Sequence, residues 1–189
     1  FFSAVYAGAE AMGIGLEAAT SEGGAGQFEL TLLHQPPQKP ADDIVLLKEL
    51  IKGIARAQGL LACFMAKPDP EGPGSGLHVH CSVLDKDGRN IFATVGARGA
   101  DALHYAIAGC LRGMADSTTL FAPYPASFDR LVPESHAPTS ANWGYANRTP
   151  ALRVPAGRAV ARRFEHRVAG VDAMPQLLMS AILGAAVIG

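Results

Sequence analysis

Gly74-Ser75-Gly76-Leu77-His78-Val79-His80-Cys81-Ser82 is the stretch that decides how the rest of the chain is read. From Leu77 onward it alternates: Leu77, Val79, Cys81 and Val83 are apolar, whereas His78, His80 and Ser82 are polar. A period of two is the mark of a half-buried strand, so both imidazoles are expected to leave the strand on one face. The preceding Pro73-Gly74-Ser75-Gly76 forms a loop whose glycines reach backbone angles closed to other residues and allow a close approach to the main chain. A histidine pair of this kind serves equally as surface decoration, as a satisfied polar pair or as two metal ligands.

Upstream, the chain opens with a helix-like pattern over residues 2–12, ended by Gly13, and a short extended piece over 14–19. Glu22-Gly23-Gly24-Ala25-Gly26-Gln27-Phe28-Glu29 then turns tightly into a strand that sets Gln27, Glu29 and Thr31 against Phe28, Leu30 and Leu32. Glu22 and Glu29 flank that turn. They are either two solvated acids or a convergent pair of oxygen ligands for a hard divalent cation. Residues 42–58 carry Ile44, Leu47, Ile51 and Ile54 on one stripe, with Asp42 or Asp43 as the expected cap and Gly59 as the stop. Leu60 to Lys67 reads as a strand ended by Pro68.

Downstream, Asp85-Lys86-Asp87-Gly88 is a hairpin turn signal, with residues 90–93 as the returning strand. A second amphipathic helix is expected over 100–114. Residues 121–142, broken by Pro123, Pro125 and Pro133, form an irregular loop of a length that usually carries function. Toward the C-terminus the basic residues are all arginine: Arg130, Arg148, Arg153, Arg158, Arg162, Arg163 and Arg167 are seven of the sixteen basic residues, with no lysine among them. Arginine's planar donor fork suits carboxylate and phosphate oxygens, although a basic solvated face would have the same composition. In the strand-like Phe164-Glu165-His166-Arg167-Val168, Glu165 and Arg167 share a face, either as a plain ion pair or as a metal ligand beside a phosphate ligand.

Composition narrows the classes. At 189 residues, 49% hydrophobic and net charge −1, the chain fits one domain with an ample core and no electrostatic footprint for nucleic acid or an anionic membrane. The apolar run 177–188 is shorter than the roughly 20 residues that span a bilayer, and is expected to be a core helix. Cys63, Cys81 and Cys110 are odd in number and lie in apolar sequence, so they are expected to be reduced, buried thiols of a cytoplasmic protein. No secretory pattern is seen at residues 1–6, and both ends of the chain look cut, as in an excerpt of a larger protein. Carboxylates with imidazole suit magnesium or manganese, and arginines suit a transferred phosphoryl group; spacing alone thus points to metal-assisted phosphoryl transfer.

Five blocks carry a resemblance: Glu22 with Gly26-Gln27-Phe28-Glu29, Phe64-Met65-Ala66-Lys67-Pro68, Gly74 to His80, Asn147-Arg148 with Leu152-Arg153-Val154-Pro155, and Arg162 to Arg167. In this order they resemble the successive signatures of the glutamine synthetase catalytic domain and cover nearly the whole chain. Ala141 to Thr149 and Arg167 to Ala173 are similar to the γ-glutamylpolyamine (glutamate–putrescine) ligases of that family. The resemblance implies an α+β fold with a curved, largely antiparallel sheet whose concave face carries Glu29, His78, His80 and Glu165, backed by helices over 42–58, 100–114 and 173–188. It also implies that ATP phosphorylates the γ-carboxylate of glutamate and that an amine then displaces phosphate.

The implied roles pass residue by residue. Glu22 and Glu29 match ligands of one Mg2+ or Mn2+ ion, and His78 and Glu165 match ligands of a second. His80, Arg153 and Arg163 match positions around the nucleotide. Gly74 matches the glycine whose backbone meets glutamate, Arg130 and Arg167 match arginines on the glutamate carboxylate or the phosphoryl group, and Arg148 matches one that stabilises the phosphoryl group. In Pro133-Glu134-Ser135-His136, His136 occupies the position of the ammonium-binding glutamate of ammonia-using enzymes, and Glu134 stands where they have glycine. An imidazole there can accept a proton from an organic amine. The family's N-terminal β-grasp domain and an early strand with two more ligand glutamates have no counterpart in this sequence, so the resemblance implies a partial catalytic domain that is inactive alone and a ring-forming homo-oligomer for the longer protein. An ammonia-using glutamine synthetase and a non-enzymatic descendant of the fold are the competing readings, against which Glu22, Glu29, His78 and Glu165 remain chemically competent.

Overall fold

The computed structural model describes residues 1–93, 99–133 and 135–188; Glu134 lies outside the described residues. In chain order the elements are α1 (Phe2–Ala11), β1 (Leu16–Ser21), β2 (Phe28–Leu32), α2 (Gln38–Ala57), β3 (Val79–Cys81), α3 (Asp101–Gly113), α4 (Thr118–Phe121), a 3-10 turn (Pro125–Arg130), β4 (Trp143–Tyr145), β5 (Leu152–Val154), a shorter 3-10 turn (Ala159–Ala161), β6 (Phe164–His166) and α5 (Pro175–Ile188). The fold is α+β, as expected. Pairing is largely antiparallel, but the strands form two sheets: the hairpin β1-β2, and a four-stranded sheet in the order β3-β6-β5-β4 whose β4-β5 pair is parallel.

Two apolar clusters account for this layout. In α3 the buried Leu103, Ala106, Ile107 and Cys110 recur at the helical period and meet Leu178 and Ile182 of α5, with Leu152 and Phe164 of the sheet beneath them. The Phe92 and Phe164 rings stand 6.2 Å apart in this layer. The second cluster joins α1 to α2 through Val5, Ala9, Leu47 and Ile51, and Leu30 and Leu32 of the hairpin pack on it. The helices thus cover the sheet from behind and leave its other side open. No described helix is long and apolar enough to cross a membrane.

Several local expectations are corrected. α2 begins at Gln38, after Pro36 and Pro37, and tolerates Pro40 in its first turn because the amides there have no intrahelical acceptor. Asp42 and Asp43 therefore do not cap it. Asp43 is 2% exposed and is paired with the Lys39 ammonium and the Gln35 amide, the latter at 3.2 Å. The stop is as expected: Gly59 follows the helix at φ +70°. Residues 60–67 have the alternation of a strand, with Ala62 and Phe64 turned inward and Leu61 94% exposed, yet no ladder forms there among the described residues. A strand needs a partner as well as a pattern, and the contact made is a loop bond from the Ser75 amide to the Ala66 carbonyl at 2.8 Å. Cys63 is exposed for the same reason, whereas Cys81 and Cys110 are buried.

The turn at 85–88 forms, with the Asp85 carboxylate accepting from the amides of Asp87 and Arg89, but its return is one bridge, Leu84 to Asn90, rather than a strand. Phe28, assigned to the apolar face of β2, is 50% exposed and meets the Phe2 ring edge-on at 4.7 Å.

Candidate functional site

β6 lies between β3 and β5, and the register sets His80 opposite Glu165 on one side and Arg153 opposite Glu165 on the other. Side chains directly opposite one another share a face, so three chemically potent groups meet at the middle of the sheet. Glu165 is the hub. It is 2% exposed, and its two oxygens accept from Arg167 Nη1 at 2.6 Å and Arg153 Nη1 at 2.9 Å. His78 Nδ1 is 3.4 Å away and His80 Nε2 is 4.0 Å away, so both imidazoles share one face as their spacing predicts.

Charge follows from these neighbours. Burial alone would push the Glu165 carboxyl up, but Arg167 first, then the imidazoles and Arg153, hold it below the ordinary value, and it is ionised. Burial, reinforced by Arg167, pushes His78 down to about 3, so it is a neutral imidazole. His80 is lowered too, chiefly by burial. Arg163 Nε donates to His80 Nδ1 at 3.0 Å, which assigns the His80 proton to Nε2, the nitrogen turned toward Glu165.

The acidic hairpin faces this hub. Glu29 pairs with Thr20 across β1-β2, and the Glu22 amide donates to the Gln27 carbonyl at 2.9 Å to close the turn. Burial raises the Glu29 carboxyl above its ordinary value; Glu22 and, more weakly, Glu165 raise it further. The acids therefore sense one another across a shared space. One open cleft is lined by Glu22, Glu29, Gly74, His78, His80, Arg130, His136, Arg148, Arg153, Glu165 and Arg167. Arg163 joins the group through its bond to His80. His136 and Arg148 are exposed on the cleft wall.

Arg130 is the surprise among the arginines: it is 4% exposed, and its guanidinium donates to the Val168 carbonyl at 2.7 Å and the Arg167 carbonyl at 3.2 Å. Burial, with Arg167 beside it, pushes it down to about 10. The glycine loop lies against it. A Cβ on Gly74 would come within 2.7 Å of Arg130 Cγ and 3.0 Å of the Ala66 carbonyl. One on Gly76 would come within 2.7 Å of Arg130 Nη2 and 2.8 Å of His78 Nε2. The close approach that the glycines permit is thus made to protein groups, and it locks the loop onto the arginine behind it.

Three polar side chains that sequence reasoning passed over organise the same region. Gln27 Nε2 donates to the Gly74 carbonyl at 3.0 Å and to Ser75 Oγ at 3.1 Å. Ser127 Oγ donates to Asp172 at 2.6 Å, fixing the 3-10 turn that ends in Arg130. Only the position of Gln27 inside a glycine-rich turn gave a local signal; Ser127 and Asp172 are far apart in sequence and meet only in space.

Among the described residues no three His, Cys, Asp or Glu side chains converge closely enough to hold a metal ion by themselves. They converge in pairs, Glu22 with Glu29 and His78 with Glu165. A neutral imidazole beside an ionised carboxylate, and two acids of one hairpin of which Glu29 is raised by burial and by Glu22, are donor sets that suit Mg2+ or Mn2+ retaining water and substrate oxygens as further ligands. Each oxygen of Glu165 keeps a lone pair beyond the arginine it serves.

Comparison with known proteins shows what the chain is similar to. The family model described as glutamine synthetase, catalytic domain, matches residues 1–189. The chain is 40% identical over 167 residues to gamma-glutamylputrescine synthetase of Escherichia coli, covering 88% of this chain and 35% of that protein. It is 36% identical over 173 residues to glutamate–isopropylamine ligase of a Pseudomonas species, covering 90% of this chain and 38% of that protein. It is 37% identical over 172 residues to a glutamine synthetase of Thermococcus kodakarensis, covering 91% of this chain and 38% of that protein. The chain therefore spans well under half the length of the relatives it matches.

Proposed function

Because this chain belongs to the glutamine synthetase family, matching its catalytic domain, we propose that the full protein joins glutamate to an organic amine or polyamine at the expense of ATP. The observation that carries the proposal is the buried, ionised Glu165, held by Arg167 and Arg153 beside the neutral His78 and facing the Glu22–Glu29 pair across one cleft. Gathered cations and arginines offset negative charge where phosphoryl groups accumulate. In the reaction a γ-carboxylate oxygen of glutamate attacks the γ-phosphorus of ATP and ADP leaves. The amine nitrogen then attacks the acyl carbon, phosphate departs, and the nitrogen gives up a proton.

In this reading Glu22, Glu29, His78 and Glu165 hold two divalent cations, which supply charge neutralisation at the phosphates. Arg167 and Arg148 meet the transferring phosphoryl group; Arg130, behind the glycine loop, supports the backbone of Gly74 where glutamate binds. His80, Arg153 and Arg163 take the nucleotide phosphates, and the exposed imidazole of His136 takes the amine proton. A ring-shaped homo-oligomer in the cytoplasm belongs to the same reading. Two relatives named for organic amines support the amine over ammonia, while the similar identity to a glutamine synthetase keeps ammonium as the second reading.

The test is phosphate release from ATP by the full-length protein with glutamate and, in turn, ammonium, putrescine, isopropylamine or ethanolamine. Stimulation by an organic amine and loss of it in His136→Ala are expected. Stimulation by ammonium alone transfers the protein to glutamine synthesis, and no stimulation by any amine refutes the ligase reading.

A further inference from the structure

Among the described residues the two sheets of this fold share no ladder, yet the acid pair of one must be held at a set distance from the histidine–carboxylate pair of the other. Apolar packing joins them at Leu32 and Leu77, and among the described residues one side chain makes a hydrogen-bonded bridge. Gln27 stands between Glu22 and Glu29, its Nε2 donating to the Gly74 carbonyl and to Ser75 Oγ while its Oε1 accepts from the Gly24 amide at 3.1 Å. Both donors and the acceptor of this amide are therefore used. Gly24 approaches so closely that a Cβ there would lie 2.9 Å from Pro73 Cγ, so the two loops touch at this point. Ser75 is in turn tied down on its far side, where the Val171 amide donates to its carbonyl at 3.0 Å and Gly76 bridges Gly170. A continuous hydrogen-bonded path thus runs from the acidic hairpin through Gln27 to the loop that precedes His78.

We propose that Gln27 is a positioning residue: it sets the span between the Glu22–Glu29 pair and the His78–Glu165 pair, and aims the Gly74 carbonyl into the cleft. This rests on the ligase reading for the identity of the substrate, but not for its metal arm. Groups that must grip one ligand set from two separate sheets lose affinity steeply when the connection between the sheets slackens, since each then orders itself only on binding.

The experiment compares full-length wild type, Gln27→Met, which keeps the length of the side chain without its donors, and Ser75→Ala, which removes one of the two bonds. Mn2+ alone is titrated by electron paramagnetic resonance, and KM is measured for glutamate and for ATP. Gln27→Met is expected to weaken Mn2+ binding and raise the glutamate KM by about tenfold each, and Ser75→Ala by about threefold, with the ATP KM, measured at saturating Mn2+, within about twofold and the melting midpoint within a few degrees. A merely structural role would lower the midpoint and affect every constant alike, which overturns the proposal. So do wild-type Mn2+ affinity and glutamate KM in Gln27→Met, or in Ser75→Ala if the Met variant does not fold, and so does a wild type that binds no Mn2+. Absence of amine-dependent turnover in the wild type refutes the ligase reading instead, and the Mn2+ titrations still judge Gln27.

Discussion

Replacing Glu165 by glutamine tests whether the carboxylate is the hub on which the cleft depends. The wild-type group accepts from two guanidiniums at 2.6 and 2.9 Å, in a place where the Glu165 and Arg167 side chains are only 3% and 6% exposed. Glutamine keeps one acceptor. Its amide nitrogen must face the second guanidinium donor to donor, and Arg153 and Arg167 lose the carboxylate charge they share. Removing one partner of a buried pair costs about 3–5 kcal/mol, and the retained acceptor places Glu165→Gln near the lower end, at about 3 kcal/mol.

With an m-value of about 2 kcal/mol per molar urea, the midpoint of urea unfolding at pH 7 falls by about 1.5 M, read by circular dichroism on the 189-residue chain. The sign with pH is set by the depressed pKa of Glu165. Its contribution is fully present above the ordinary carboxylate value of about 4.3 and is lost as pH falls through the lower folded value, so wild type and variant converge in strong acid. A midpoint shift below about 0.3 M at pH 7, or a gap that persists unchanged at pH 2, would show that the arginines do not depend on this carboxylate.

Gly76→Ala places a Cβ 2.7 Å from Arg130 Nη2 and 2.8 Å from His78 Nε2, and is expected to cost about 1–3 kcal/mol in the same urea assay. Gly53→Ala on α2, where a Cβ meets nothing within 4 Å, is expected to gain about 0.5–1 kcal/mol, and equal effects at the two glycines would refute the contact argument. His166 is 1% exposed, packs on the Phe121 ring at 4.6 Å and is pushed down to about 4 by burial. The unfolded chain therefore takes up its proton first as pH falls, and stability drops by roughly 3 kcal/mol between pH 6.5 and 4 on this account alone. His166→Phe should flatten that limb of the pH–stability curve, and an unaltered limb refutes the assignment. In native protein one thiol, the exposed Cys63, should react promptly with a disulfide reagent; Cys81 and Cys110, pushed up by burial to about 11 and about 12, should react only after unfolding.

Local spacing made much of the molecule legible. The stripes of α2 and α3, the alternation around His78 and His80, and the glycine-rich turn between Glu22 and Glu29 each depend on residues within a few positions of one another. The boundaries failed where competition was not local: Asp43 lies inside α2 because Lys39 and Gln35 hold it there, one turn beyond the proline-marked start. The expected strand over 60–67 failed differently, since alternation describes one chain and a ladder requires two.

The sequence by itself determined which candidates could meet, because residue type and period set Glu22 and Glu29 about a glycine turn, His78 and His80 on one strand face and Glu165 beside Arg167; the family resemblance, not spacing, added Gly74 and His136 and gave each arginine its role. Tertiary structure alone decided their states and partners. Glu165 is ionised, His78 is neutral, and Arg130 is turned to main-chain carbonyls, because burial and the field of residues far away in sequence set each proton and each bond. The bridging position of Gln27 belongs to the same class: an amide has no preferred partner until the fold brings Gly74 and Ser75 within 3.0 and 3.1 Å of it.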